Sequence, residues 1–100
     1  MKRLLTTVAA VSVLLPVLAA ANPATLNHPG RLLASNCFQC HGTDGYGMEH
    51  LAGESINEIA DELAEMQFES ARKDIMAVHA QAYTAEEITL IADYFSKQPK

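Results

Sequence analysis

Cys37-Phe38-Gln39-Cys40-His41 decides how the rest of this sequence is read. The spacing is C-x-x-C-H, the attachment motif for c-type haem. Two residues between the thiols let one turn of chain bring both sulfurs under one edge of a porphyrin, where they form thioethers with its two vinyl groups. The histidine directly after Cys40 projects its imidazole at the iron from the same face. On this reading Cys37 and Cys40 tether one haem and His41 is its first axial ligand.

Three other readings of the same residues compete. A thioredoxin-like redox pair needs a βαβ context and strand-rich flanks, which the neighbouring sequence lacks. A structural zinc site needs four ligands; there is no second cysteine pair, although His50 is available for recruitment. A plain disulfide leaves His41 without a purpose. Cys and His are scarce enough that the motif arises by chance about once per thousand chains of this length.

The composition agrees with a small exported domain. The chain has 100 residues, 49% of them hydrophobic and 19% charged, with no tryptophan and a net charge of −5. That is room for one domain, of ordinary globular composition. The negative balance disfavours nucleic-acid binding through phosphates. Lys2 and Arg3 precede an uncharged stretch, Leu4 to Ala21, ending Ala19-Ala20-Ala21. This order is the layout of a secretory signal, cleaved before Asn22, over residues 1–21. An uncleaved membrane anchor is the alternative, weakened by Thr6, Thr7, Ser12 and Pro16. Cleavage removes two basic residues and no acid, so residues 22–100 keep 5 basic against 12 acidic residues and a charge of −7. A domain this small has a marginal core unless a disulfide, metal or cofactor reinforces it.

The flanks of the motif read as helices. Arg31 to Asn36 forms a short helix leading into it, with Asn27 as a candidate cap and Pro29 in the first turn. Gly42-Thr43-Asp44-Gly45-Tyr46-Gly47 is a turn segment whose glycines let the backbone pass close to a haem edge. Ser55 and Glu58 predict a capping box, followed by an apolar stripe of Ile56, Ile59, Ala60, Leu63, Met66 and Gln67. A second box, Thr84 with Glu87, opens a last helix with Ile88, Ile91, Ala92 and Phe95 on its buried side, ending near Ser96. No strand pattern appears, so the predicted fold is all-α: three to five helices around one covalently attached haem.

These residues resemble the class I monohaem c-type cytochromes over nearly all of residues 22–100. The family places a helix before C-x-x-C-H, a glycine-containing loop after it and a C-terminal helix across the first. The resemblance makes Gly30 the small contact residue, and Tyr94 or Phe95 the aromatic from the crossing helix. His41-Gly42-Thr43-Asp44-Gly45 and Leu51-Ala52-Gly53 resemble the loops of small bacterial cytochromes. Met76-Ala77-Val78-His79-Ala80-Gln81-Ala82-Tyr83-Thr84 is similar to the haem subunit of flavocytochrome c sulfide dehydrogenase, where a methionine ligand stands seven residues before a tyrosine. In that family the position of His79 is usually aliphatic, and glycines often replace Ala77 and Ala82.

The second axial ligand remains to be chosen. Met48 is close behind His41 on the proximal side, and Met66 belongs to the apolar stripe of a helix. Met76 lies between the middle and last helices, where a loop can cross the distal face, and it matches the family position. His79 is the rival, three residues on. Met76 is preferred as the ligand, and a thioether raises the potential relative to two imidazoles. His28 and His50 read as exposed, solvated residues. With both axial positions filled, the expected role is periplasmic electron transfer, either as a free shuttle or as the electron-accepting subunit beside a flavoprotein that oxidises sulfide. A five-coordinate gas sensor is the remaining alternative. No flavin or nucleotide site is present in the sequence, so catalysis would need another chain. A redox partner protein is expected; nucleic acid, and membrane after signal cleavage, are not.

Overall fold

The computed structural model describes residues 8–12 and 23–100. Apart from 8–12, the predicted signal segment lies outside the described residues. Among those described, every regular element is helical: α1 (Pro23–Leu26), α2 (Arg31–Ala34), a 3-10 turn (Ser35–Cys37), α3 (Phe38–His41), α4 (Ile56–Met66), α5 (Ile75–Ala80) and α6 (Ala85–Ser96). The all-α expectation holds. Because α2, the 3-10 turn and α3 follow one another without a break, they act as one helical run that tightens at its middle, where the Ser35 hydroxyl donates to the Leu32 carbonyl at 2.6 Å. The helical bodies therefore number five among the described residues. None of these helices is long and apolar enough to cross a membrane.

The last helix organises the others. Thr84 and Glu87 form the reciprocal capping box that the sequence predicts. Ile88, Ile91, Ala92 and Phe95 are all buried, and Tyr94 joins them. From this face α6 packs on α4 and α2, and Ala34 and Ile59 complete the cluster. Both aromatics the resemblance offered serve together: the rings of Tyr94 and Phe95 are 5.2 Å apart, with Phe38 edge-on to Phe95. The Tyr94 hydroxyl donates to the Thr43 carbonyl at 2.6 Å and so ties the loop after the motif to α6.

Gly30 permits the crossing. A Cβ there would stand 2.1 Å from the Leu90 carbonyl oxygen. The backbone of α6 occupies the space a side chain would need, so the requirement is for close approach.

Several local expectations are corrected. Asn27 does not cap α2. Gly30 holds the cap position without a side-chain cap bond, and its own N–H donates to the His28 Nδ1 at 2.9 Å. His28 is buried, not solvated: with Nδ1 accepting, Nε2 carries the proton and donates to Asp93 Oδ2 at 2.5 Å. Only half of the Ser55 box forms; its hydroxyl accepts from the Glu58 N–H at 3.1 Å, while neighbouring Glu54 raises the pKa of the Glu58 carboxyl. Ile56, at the very start of α4, is exposed rather than part of the stripe. Finally, residues 75–80 form a helix, capped by the Asp74 carboxylate on the Met76 N–H at 2.8 Å, where a loop was expected.

Two stability measurements check this account. Gly30→Ala should cost about 3 kcal/mol, read as a lowered thermal midpoint by circular dichroism; an unchanged midpoint would contradict the crossing. Asp93 is held below the usual carboxylate range by hydrogen bonds from Lys97 and then His28. A lowered folded pKa stabilises above the unfolded value of about 3.9, and that contribution is lost as pH falls through the folded value. Asp93→Asn should therefore lower stability by about 1 kcal/mol at pH 7, with the deficit closing below about pH 4. A deficit constant from pH 7 to pH 3 would refute the charge assignment.

Candidate functional site

The motif straddles the junction of the 3-10 turn and α3. Cys37 ends the turn, and Cys40 and His41 end the helix. Helical spacing of three residues puts the two thiols on one face. Both thiols are free; Cys37 is half-buried and Cys40 exposed. Burial pushes the Cys37 thiol up to about 11. A dithiol built for disulfide exchange lowers the pKa of its attacking sulfur, so this environment is the wrong one for that chemistry. Among the described residues no three His, Cys, Asp or Glu side chains gather as a metal site. His50 stacks against Tyr46 at 4.4 Å on the surface instead.

His41 is buried, and its ring is oriented by the chain that follows it. Gly42 turns the backbone with φ of 81°, which a side chain would resist, and its N–H bonds to the Phe38 carbonyl. The loop then folds back under the helix: Gly47 N–H donates to the His41 carbonyl at 2.7 Å and Met48 N–H to that of Cys40 at 2.8 Å. This places the Met48 carbonyl at 2.5 Å from His41 Nδ1, which donates to it. With its proton on Nδ1, the ring keeps a lone pair on Nε2, the form that binds a metal. Gly47 is needed for the fold-back, since a Cβ there would stand 2.4 Å from the Cys40 carbonyl oxygen. The close approaches of Gly45 and Gly47 are thus to the chain itself. Met48 contributes through its backbone, while its side chain is largely exposed.

One cavity of about 360 Å³ joins the scattered candidates. Cys37, Cys40 and His41 line it from one helical run and Met76 and His79 from α5; α4 and α6 add Leu63, Met66, Ile91 and Phe95. This is the size and apolar character of a cofactor pocket. Two thiols, an imidazole with a free nitrogen and a thioether are the donors a covalently held iron porphyrin uses, so the residues present fit that group. The cavity brings together all four residues singled out in the sequence as ligands. It also corrects Met66, which lies on the cavity wall rather than wholly in the core, and it keeps His79 as close a candidate as the sequence made it.

The opening is acidic. Glu49, Glu62 and Asp74 line the same cavity, and Glu54 and Glu58 border an adjoining one of about 250 Å³. Fixed negative charge here favours the more positive oxidation state of any bound iron and suits a basic protein surface.

Among known proteins, the cytochrome subunit of sulfide dehydrogenase from Chlorobaculum tepidum is 37% identical to this chain over 84 residues, which cover 81% of the chain and 76% of that protein. No protein-family model matches the chain, and no solved structure matches it.

The orienting bond can be tested alone. Gly47→Ala should displace the Met48 carbonyl, remove the slow exchange expected of the His41 Nδ1 proton in an NMR measurement, and cost about 2 kcal/mol. Retention of that proton at full stability would show that the fold-back does not depend on Gly47.

Proposed function

The chain belongs to the family of sulfide dehydrogenase cytochrome subunits, and from that premise we propose that it is a periplasmic protein carrying one electron at a time on a single haem c. Its role as an electron-transfer cytochrome follows from the family. The finer reading rests on one observation: Cys37, Cys40, His41 and Met76 line one apolar cavity. Residues 1–21 direct export and are cleaved, and residues 22–100 are the cytochrome domain.

When bound, the haem supplies an iron that alternates between ferric and ferrous. Cys37 and Cys40 would hold it by thioether bonds and so prevent its loss. His41 would ligate through Nε2, its ring pinned by the bond to the Met48 carbonyl. Met76 would provide the second ligand, a neutral, soft sulfur that favours the reduced state. Leu63, Ile91 and Phe95 keep water from the walls and favour the less charged ferrous form, against the opposing pull of the acidic opening. With His41 and Met76 both holding the iron, no site would remain for substrate at the metal, and catalysis would need the partner chain. The partner is a flavoprotein subunit that oxidises sulfide and delivers electrons to the haem edge, and its docking face is basic.

The purified exported protein should be heavier than residues 22–100 by one haem, retained after denaturation. Its reduced form should resist carbon monoxide, and it should copurify with a flavoprotein. Met76→Ala should abolish the thioether signature in the ferric absorption spectrum, and His79→Ala should keep it. A bare polypeptide mass overturns the haem assignment, and a ferric spectrum altered only by His79→Ala overturns Met76 as ligand.

A further inference from the structure

Met76 and His79 are three positions apart on α5, and both line the haem cavity. In a helix that spacing puts two side chains on one face, about 4.5 Å apart along the axis. The His79 ring makes no hydrogen bond among the described residues, and it is half-buried against an apolar wall. An imidazole so placed has a free ring nitrogen and no structural duty.

The helix that carries them is held loosely. It has only six residues, and the two it buries are Ala77 and Ala80. Methyl groups interlock little with their surroundings, so no bulky side chain fixes the register of α5 on its neighbours. Val78 is exposed, and Ile75, though it edges the cavity, is 68% exposed, so neither anchors the helix. What restrains it lies at the ends: the Asp74 carboxylate on the Met76 N–H, and the Gln67 amide, which donates to the Ala80 and Tyr83 carbonyls at 2.9 and 2.8 Å. A small slide or rotation of α5 costs little buried apolar contact.

Resting on the ligand set above, we propose that His79 is a reserve axial ligand, brought to the iron by a shift of α5 when Met76 is displaced. The exchange breaks the iron–sulfur bond of Met76 and forms an iron–nitrogen bond from neutral His79. No electron is transferred and no co-reactant is needed. Replacing thioether by imidazole lowers the reduction potential and keeps the distal position closed to small ligands.

Met76→Leu, which nearly preserves volume, and Met76→Ala, as a second variant should the first fold poorly, test this in the holoprotein. Either should give a low-spin ferric form with a paired-imidazole EPR signature and a lowered potential. Its reduced form should bind carbon monoxide at least about tenfold more slowly than the same variant carrying His79→Ala as well, which should be high-spin. A single variant that is already high-spin, and binds carbon monoxide as fast as the double variant, overturns the reserve role and leaves Met76 ligation standing. A double variant that stays six-coordinate also overturns it, because another group then fills the position. A wild-type paired-imidazole signature that His79→Ala removes overturns the Met76 assignment itself, and the reserve role with it.

Discussion

The Leu90 carbonyl lies so close to Gly30 that no side chain fits between them, and the remainder of the architecture depends on this contact. It sets α6 directly on the start of the helical run that carries the cysteines. Phe95 can then reach the cavity wall, and Tyr94 can reach Thr43 in the loop beyond His41. His28 and Asp93 fasten the same crossing from its flank. His28 serves both sides at once, since one ring nitrogen accepts from the Gly30 N–H just before α2 and the other holds α6. A fault at Gly30 would thus be felt at the site through the shared helix, without any direct contact with a ligand.

From that frame the geometry at His41 follows almost wholly from backbone hydrogen bonds. Gly42, Gly47 and Met48 satisfy the carbonyls that a helix end leaves open. In doing so they bring up one more carbonyl, which fixes the histidine tautomer. Helix capping and metal readiness are here the same set of bonds. The loop therefore cannot relax at the C-terminus of α3 without freeing the ring.

What could be read in the sequence was the chemistry with a local signature. The C-x-x-C-H motif, the Thr84 box and the 3-4 stripe of α6 each announce themselves within one or two turns, and each is present as expected. The unreadable parts had partners far away or no side-chain signal. His28 looks like a solvated residue before a Pro-Gly turn because Asp93 is 65 positions on. The acceptor for His41 is the Met48 carbonyl, and a carbonyl has no letter in the sequence. Residues 75–80 include Ile75 and Val78, weak helix formers, and become helical through the Asp74 cap and the packing of Ala77 and Ala80. Glu58 had the right spacing for a reciprocal box, but only the Ser55 half of it forms.

The composition of the core would give a bound haem a packing role beside electron transfer. Of the ten buried hydrophobic residues described, five are alanines, which bury little area and contribute correspondingly little stability. The larger ones, Ile59, Ile88, Ile91, Tyr94 and Phe95, belong to α4 and α6. Leu63 and Met66 face the cavity rather than closing over it. The cavity thus sits where more side chains would otherwise be needed, and a flat apolar ring bound there would complete the packing. The same economy leaves α5 seated on two methyl groups. The segment carrying Met76 and His79 is therefore anchored on little buried area, while His41 across the cavity is pinned by its bond to the Met48 carbonyl.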